Sequence, residues 1–194
     1  KIKICGIGYY ELYINGRKVD DRVLDPVVTV YDRRVRYVIY DVRSYLKPGK
    51  NVIGVILGNG WYNCHSNEVW HFDKASWRDD PKLLLELSID KETILCSDTS
   101  WKTTTGPIVF DGLRSGETYD ACLELGDWSS PEYNDSQWHY AAKVNPPGGI
   151  LEEQTMPPCR ITKTKPMPLP NTPRSAAGMS ANTRTCLSAS KPLM

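Results

Sequence analysis

Residues 51–62 place the tightest constraint on how this chain can fold. The segment 52–57 reads Val-Ile-Gly-Val-Ile-Leu, and a short unbroken run of β-branched and aliphatic residues is typical of a buried strand. The run ends in Gly58-Asn59-Gly60-Trp61-Tyr62, where the glycines permit a turn with close backbone approach. An aromatic pair after such a turn is typical of a face that covers the apolar side of a sugar ring. The segment therefore predicts a core strand that ends in a candidate binding turn.

The remaining sequence repeats the pattern of short strands and turns. Apolar and polar positions alternate along residues 9–14, and Asn15-Gly16 directly afterwards is a strong hairpin signal. The strand at 36–42 is expected to neighbour the strand at 52–57. Many short strands with almost no helix predict an all-β fold, an antiparallel jelly-roll β-sandwich. Further strands are predicted at 82–89, 93–96, 101–104, 107–110, 117–125 and 139–144.

Charge and composition limit the classes of partner. The formal net charge is +1, and no apolar run approaches the roughly 20 residues of a membrane span. Neither nucleic acid nor a membrane is therefore expected as a partner. The six cysteines show no C-x-x-C spacing, which argues against a zinc ribbon; buried free thiols are preferred over disulfides. The N-terminus has no signal-peptide pattern and is interpreted as a strand already in progress, as in a fragment of a longer polypeptide.

The composition divides the chain into three parts. Residues 1–145 carry the strand pattern and are predicted to form a β-sandwich module. Prolines are frequent in residues 146–170, which are interpreted as an extended linker into a following domain. Residues 171–194 are rich in Ser, Thr, Ala and Arg, and are predicted to be a disordered or aberrant tail that the module does not need for stability.

Several motifs together resemble one family. Leu-Gly-Asn-Gly-Trp-Tyr at 57–62 and Gly-Glu-Thr-Tyr-Asp-Ala at 116–121 are the most specific, and they occur in order with Tyr-Ile-Asn-Gly at 13–16 and Asp-Ser-Gln-Trp at 135–138. The set resembles the N-terminal β-sandwich domain of bacterial α-L-rhamnosidases, a galactose-binding-like sandwich. The family often has Trp where Val28 stands and Arg where Cys122 stands.

The resemblance implies a parent glycoside hydrolase whose catalytic carboxylates lie in a separate helical toroid, which is absent from this chain. It implies a non-catalytic module that contributes to recognition of terminal L-rhamnose or a rhamnosylated glycan, or to active-site architecture. The alternative is a purely structural sandwich that supports the catalytic domain and binds no ligand. Some modules of this kind use Ca²⁺ in the sugar site, with Asn59, Asp73 or Asp120 as candidate oxygen ligands here. For the parent enzyme, an extracellular or periplasmic location is implied.

The candidate ligand-binding residues lie in three short segments. Aromatic rings can stack on a sugar, and Asn offers both a hydrogen-bond donor and an acceptor. For Trp61, a role as a buried core residue is the competing interpretation. A catalytic role for the Gly-Glu-Thr-Tyr-Asp carboxylates is not expected, because positions i and i+3 of a strand point to opposite faces. The candidates are Asn59, Gly60, Trp61, Tyr62, Trp70, Asp73, Trp77, Glu117 and Asp120.

Overall fold

A computed structural model describes residues 1–65, 70–165 and 185–193, and for residues 185–193 it describes the backbone path alone. Short 3₁₀ helices lie at Arg43–Tyr45, Phe72–Lys74 and Ala121–Leu123. The strands in chain order are β1 (Ile2–Ile7), β2 (Tyr9–Ile14), β3 (Arg17–Lys18), β4 (Arg22–Val23), β5 (Arg34–Tyr40), β6 (Gly49–Gly58), β7 (Lys82–Ile89), β8 (Glu92–Cys96), β9 (Lys102–Thr105), β10 (Ile108–Gly112), β11 (Gly116–Tyr119), β12 (His139–Tyr140), β13 (Ile150–Glu153), β14 (Cys159–Arg160) and β15 (Thr185–Leu193).

Two sheets face each other across one core. The first is five-stranded in the order β13-β5-β1-β7-β8, and the second is six-stranded in the order β12-β9-β15-β6-β2-β3. All pairings in these sheets are antiparallel except that between β13 and β5, which is parallel. The predicted all-β antiparallel sandwich is confirmed, while the jelly-roll connectivity stays a prediction.

The core explains the alternation in the sequence. On β2, Tyr10, Leu12 and Ile14 are buried, and the residues between them are partly exposed. These side chains share one cluster with apolar residues of β1, β6 and β7, so both sheets contribute to the same core. Trp101 is 1% exposed and Trp138 is 8% exposed, so both are buried aromatic residues.

The predicted hairpin after β2 is also confirmed. Asn15 and Gly16 both have positive φ, 51° and 80°, and β3 returns antiparallel to β2. Two positive φ values in a two-residue loop match the twist of the flanking strands.

Three local expectations were wrong. β5 and β6 are not neighbours, because β5 pairs with β1 and β13, whereas β6 pairs with β2 and β15 in the opposite sheet. The strand predicted at 117–125 stops at Tyr119, where Asp120 caps a 3₁₀ helix. The last predicted strand is only His139–Tyr140. The prediction of buried thiols holds for Cys5, whereas Cys96, Cys122 and Cys159 are exposed; these four cysteines form no disulfide in the described part of the chain.

Part of the predicted linker segment is extended and pairs with strands of the sandwich. β13 pairs in parallel with β5, and β14 pairs with β4. The Gln154 side chain donates to Asp25 Oδ1 over 2.9 Å and accepts from the Val27 backbone over 2.9 Å. Backbone pairing between the prolines therefore fastens residues 150–160 to the sandwich. Residues 166–170 lie outside the described residues.

The tail also differs from expectation where it is described. β15 lies between β6 and β9 and pairs antiparallel with both, which makes it an interior strand of the second sheet. A local sequence pattern does not reveal this pairing, because the partners lie far away along the chain. Residues 171–184 and Met194 lie outside the described residues.

Candidate functional site

The turn at residues 58–62 is fixed by close backbone packing. Gly60 has a φ of +52°, and a Cβ placed there would lie 2.9 Å from the Gly8 carbonyl carbon. A Cβ at Gly8, whose φ is +105°, would lie 2.2 Å from the Gly58 carbonyl oxygen. Both positions therefore require glycine, as the sequence suggested for this turn.

A buried polar network holds the turn from beneath. Asp111, at the end of β10, accepts from the Asn59 backbone N–H over 3.1 Å and from the Asn59 side-chain amide. The Asn63 amide in turn donates to Asn59 Oδ1 over 2.9 Å and to Asp80 Oδ1 over 3.4 Å. Asn59, Asn63 and Asp111 are each at most 7% exposed. The Asn59 side chain thus has a structural partner, and buried polar groups of this kind are costly to leave unpaired.

Aromatic rings continue the site from the core outward. Tyr62 is fully buried and stacks on Trp77, with centroids 6.2 Å apart and planes 12° apart. Tyr31 meets both rings edge-on, at 5.0 Å from Tyr62 and 4.9 Å from Trp77. Burial raises the pKa of both tyrosine hydroxyls. This inner part of the site is a packed support and offers no open ring face at Tyr62.

The outer part forms an aromatic face at the surface, consisting of Trp61, Trp70 and Phe72. The ring centroids are 5.7 Å apart for Trp61 and Trp70, 5.6 Å for Trp61 and Phe72, and 5.6 Å for Trp70 and Phe72. Phe72 also meets Trp77 edge-on at 5.5 Å, which connects the face to the inner rings. Trp70 is 72% exposed, whereas Trp61 and Phe72 are half-buried. A large exposed ring held by other rings is a surface that could stack on an apolar ligand face.

Charged groups border the aromatic rings. Lys82 Nζ lies 6.0 Å from the Tyr62 centroid and donates to Asp79 Oδ2 over 2.6 Å. The Asp73 side chain has one buried oxygen, Oδ1, with no hydrogen-bond partner in the described part of the chain. Burial and the neighbouring Arg78 guanidinium lower the pKa of His65, which favours its neutral imidazole.

The two carboxylates of the Gly-Glu-Thr-Tyr-Asp motif lie elsewhere, on different elements. Glu117 is on β11, opposite Asp111 in the pairing with β10, and it is exposed. Asp120 follows that strand and accepts from the Cys122 backbone N–H over 2.9 Å as an N-cap. Neither residue belongs to the aromatic face.

Sequence reasoning named most of the aromatic site but missed two of its features. Phe72 completes the face, and its position between Trp70 and Trp77 in the insertion at residues 63–80, between β6 and β7, was the available signal. Asp111 anchors the turn from 52 residues away, and no local pattern marks it. Residues 66–69 of the insertion lie outside the described residues.

The candidate Ca²⁺ ligands Asn59 and Asp120 already have partners within the chain, and Ca²⁺ binding stays a prediction. Asn59 donates its amide to Asp111, and Asp120 caps the 3₁₀ helix that follows β11. Among the residues that the structure describes, no group of three or more His, Cys, Asp or Glu side chains could hold a metal ion.

A second concave feature is an apolar groove of about 650 Å³ between the start of β7 and β9. Trp101, Leu57 and Val144 contribute to its walls, and Lys82 and Asp98 are among its few charged groups. The described residues that line this groove offer no exposed aromatic ring of the kind that Trp70 presents on the aromatic face.

The fold and the aromatic face define the class of this protein: an all-β sandwich module with an exposed aromatic surface. Comparison with known families makes the assignment specific, because residues 1–163 match the α-L-rhamnosidase N-terminal domain. The chain belongs to this family. No helix in the described part of the chain has the length and apolar content that a membrane span requires.

Similar proteins and structures carry the same family name. An α-L-rhamnosidase of Formosa agariphila is 43% identical over 165 residues, which is 81% of this chain. The structure of α-L-rhamnosidase from Dictyoglumus thermophilum matches 84% of this chain with a TM-score of 0.73 and 45% identity. The structure of the Streptomyces avermitilis α-L-rhamnosidase complexed with L-rhamnose matches 84% with a TM-score of 0.74 and 34% identity.

This chain corresponds to a small part of those relatives. The match covers 17% of the Formosa agariphila protein, 18% of the Dictyoglumus thermophilum chain and 16% of the Streptomyces avermitilis chain.

Proposed function

We propose that this chain is a non-catalytic module of an α-L-rhamnosidase, and that its aromatic face of Trp61, Trp70 and Phe72 contributes to recognition of a terminal L-rhamnose. The observation that carries the proposal is the exposure of Trp70, 72%, on top of two supporting rings. The C–H face of a pyranose and the methyl group of rhamnose are apolar, so a flat exposed ring is a suitable partner for them.

The buried network beneath the turn supports recognition by keeping Trp61 in place. Asn59 is hydrogen-bonded to Asp111, and the neighbouring Gly60 packs against the Gly8 backbone. A ring held in this way loses little conformational entropy when a ligand binds.

The module itself is expected to hydrolyse no rhamnoside. Glycoside hydrolysis uses two carboxylates that flank the scissile bond. Glu117 and Asp120 lie on an exposed hairpin and the turn after it, and Asp120 already caps a helix. Turnover of an aryl α-L-rhamnoside by the purified chain, lost in Glu117→Gln, would contradict this part of the proposal.

The decisive experiment is a titration of the chain with L-rhamnose by isothermal calorimetry, together with thermal unfolding of the same samples. We expect a dissociation constant on the order of 0.1–1 mM, since one stacked sugar ring gives about −4 to −5.5 kcal/mol. Trp70→Ala should weaken binding by about tenfold or more, about 1.4 kcal/mol, with an unchanged melting midpoint. The matched control is Tyr140→Ala, because Tyr140 is 70% exposed on β12 and lies outside the aromatic face.

A second candidate function is a purely structural sandwich without a ligand. The full burial of Tyr62 and the packing of Trp77 between Tyr31 and Phe72 favour this alternative, because these rings already pack against one another within the module. Under this alternative no sugar produces heat, and Trp70→Ala has no binding phenotype. Repeating the titration with Ca²⁺ and with a chelator tests a metal requirement separately from the sugar contact.

A further inference from the structure

A hairpin outside the two main sheets forms the second surface of interest, which we call the arm: β10, β11 and the 3₁₀ helix that follows, residues 108–124. β10 and β11 pair only with each other, as a two-stranded sheet apart from the two main sheets. Every residue from 113 to 124 is exposed. A two-stranded hairpin is marginally stable by itself in water, so this one needs support from elsewhere.

The arm is nevertheless well connected by hydrogen bonds. The Asp120 backbone N–H donates to the Pro107 carbonyl over 2.8 Å, which closes the base, and Asp120 Oδ1 caps the 3₁₀ helix. Asp111 ties the end of β10 to Asn59 and hence to the turn that carries Trp61. These hydrogen bonds therefore fix the conformation of the arm at its base, and the bond between Asp111 and Asn59 connects that base to the candidate sugar site.

The surface of the arm is both apolar and acidic. Leu113, Tyr119 and Leu123 are 40%, 53% and 47% exposed. Residues 113–124 contain one arginine and three carboxylates, a formal charge of −2, whereas the whole chain carries +1. These exposed apolar side chains on the hairpin and the 3₁₀ helix after it are available for contact with another protein surface.

We propose that the arm docks into an apolar groove bordered by Lys or Arg on the remainder of the parent rhamnosidase polypeptide. Two observations select this occupant. The chain corresponds to only 17% of its Formosa agariphila relative, so most of a parent polypeptide is available to cover the arm. The net negative charge of residues 113–124 favours a border that contains Lys or Arg, because a border of the same sign would oppose association. This inference rests on the proposed membership of a larger enzyme, and it deepens that proposal by making the arm the element that orients the aromatic face.

The experiment places the full 194-residue chain in the Dictyoglumus thermophilum enzyme in exchange for the matching segment, and compares that chimera with the isolated chain. Hydroxyl-radical footprinting with mass spectrometry reports the oxidation of Tyr119 in each. We expect Tyr119 oxidation to fall by about fivefold or more in the chimera, as for a side chain in an interface core. The double variant Glu117→Lys, Glu124→Lys should restore Tyr119 oxidation in the chimera to the level of the isolated chain. The matched control is Glu92→Lys, at an exposed carboxylate on β8, and it should leave Tyr119 protected.

Two results would overturn the proposal. Equal oxidation of Tyr119 in the chimera and the isolated chain would show that the remainder of the enzyme leaves the arm in solvent. Dimerisation of the isolated chain with Tyr119 shielded, measured by sedimentation, would assign the arm to a second copy. The same footprint is also measured in trans, with the isolated chain added to the Dictyoglumus thermophilum enzyme from which the matching segment has been removed. This second measurement tests docking even if the chimera fails to fold. No readout uses rhamnose, so failure of docking and failure of sugar binding are distinguishable.

Discussion

Removal of the Asp111 carboxylate is the most direct test of how the candidate site is held. Asp111 is 5% exposed and accepts from two donors of Asn59, the backbone N–H and the side-chain amide. Asp111→Ala deletes both acceptors at once. The Asn59 backbone N–H would then lose this acceptor, and the side-chain amide would keep only a long contact of 3.5 Å to the backbone carbonyl of residue 111, at the base that the turn and the arm share.

The expected cost follows from the two donors that lose this carboxylate. A buried donor without a partner costs about 1–3 kcal/mol, so the pair gives about 2–6 kcal/mol. A water molecule in the space left by the carboxylate would recover part of this cost. We therefore expect a loss of stability in the lower half of the range, about 3 kcal/mol. For a chain of this size, 1 kcal/mol lowers the melting midpoint by about 2–4 °C, so we expect a fall of about 6–12 °C.

Thermal unfolding followed by circular dichroism provides the measurement. Asp41→Ala is the matched control, because Asp41 is an exposed carboxylate whose only described ion pair is with Arg43; it should leave the midpoint unchanged. In a double-mutant cycle, Asp111→Ala should cost less in an Asn59→Ala background, since only the backbone donor remains. A fall of less than about 2 °C for Asp111→Ala would refute the reasoning, because it would mean that these donors are not buried.

Three further predictions test other parts of the fold. Gly54→Ala should lower the free energy of unfolding by about 1–3 kcal/mol, because a Cβ at residue 54 would lie 2.5 Å from the Trp128 ring, which stacks on Trp138. An unchanged free energy of unfolding would show that the Trp128 ring moves aside freely. Replacement of residues 185–193 by a Gly-Ser segment of equal length should lower the melting midpoint, because it removes the pairings of β15 with β6 and β9, and each lost hydrogen bond costs about 1 kcal/mol. An unchanged midpoint would restore the expectation of a dispensable tail. The hydrogen bond from Lys82 lowers the pKa of Asp79 below its ordinary value of 3.8, so the pair stabilises the fold above pH 3.8 and loses this effect as the pH falls through the lowered pKa. The difference in melting midpoint between the wild type and Asp79→Asn should therefore close as the pH falls from about 5 to about 2. A difference that stays constant with pH would contradict this prediction.

The sequence predicted the sandwich well wherever the signal was local. The alternation in residues 9–14 and the Asn15-Gly16 turn depend on neighbours along the chain, and the structure contains both. The side-by-side placement of β5 and β6 was wrong, because the connection between them crosses from one sheet to the other. Strand partners are chosen by core packing over long distances, which a local pattern does not contain.

Composition was a poor guide to the C-terminal part for a related reason. Prolines in 146–170 suggested an extended linker, yet the backbone at residues 150–153 pairs with β5 and the backbone at residues 159–160 pairs with β4. Proline excludes a hydrogen bond only at its own nitrogen, so short strands fit between prolines at a sheet edge. The Gln154 contacts with Asp25 and Val27 add side-chain bonds that composition cannot indicate.

The candidate site shows why residues that share a sequence motif can differ in role. Trp61 and Tyr62 are adjacent, but Tyr62 is fully buried against Trp77, whereas Trp61 belongs to the surface face with Trp70. Successive residues point in different directions, so of this aromatic pair Tyr62 lies in the packed support and Trp61 reaches the surface face.

This division of roles also connects the aromatic face to the arm. Asn59 reaches inward to Asp111 on β10, and two residues later Trp61 contacts the exposed rings. Displacement of the arm would therefore act on the turn through two hydrogen bonds before it reached the aromatic face. If the arm docks as proposed, variants at Tyr119 should alter sugar affinity only in the full-length enzyme, because the isolated chain has nothing for the arm to contact. An equal effect of Tyr119→Ala on rhamnose binding in both forms would place Tyr119 in the sugar site itself and separate the arm from any role in docking.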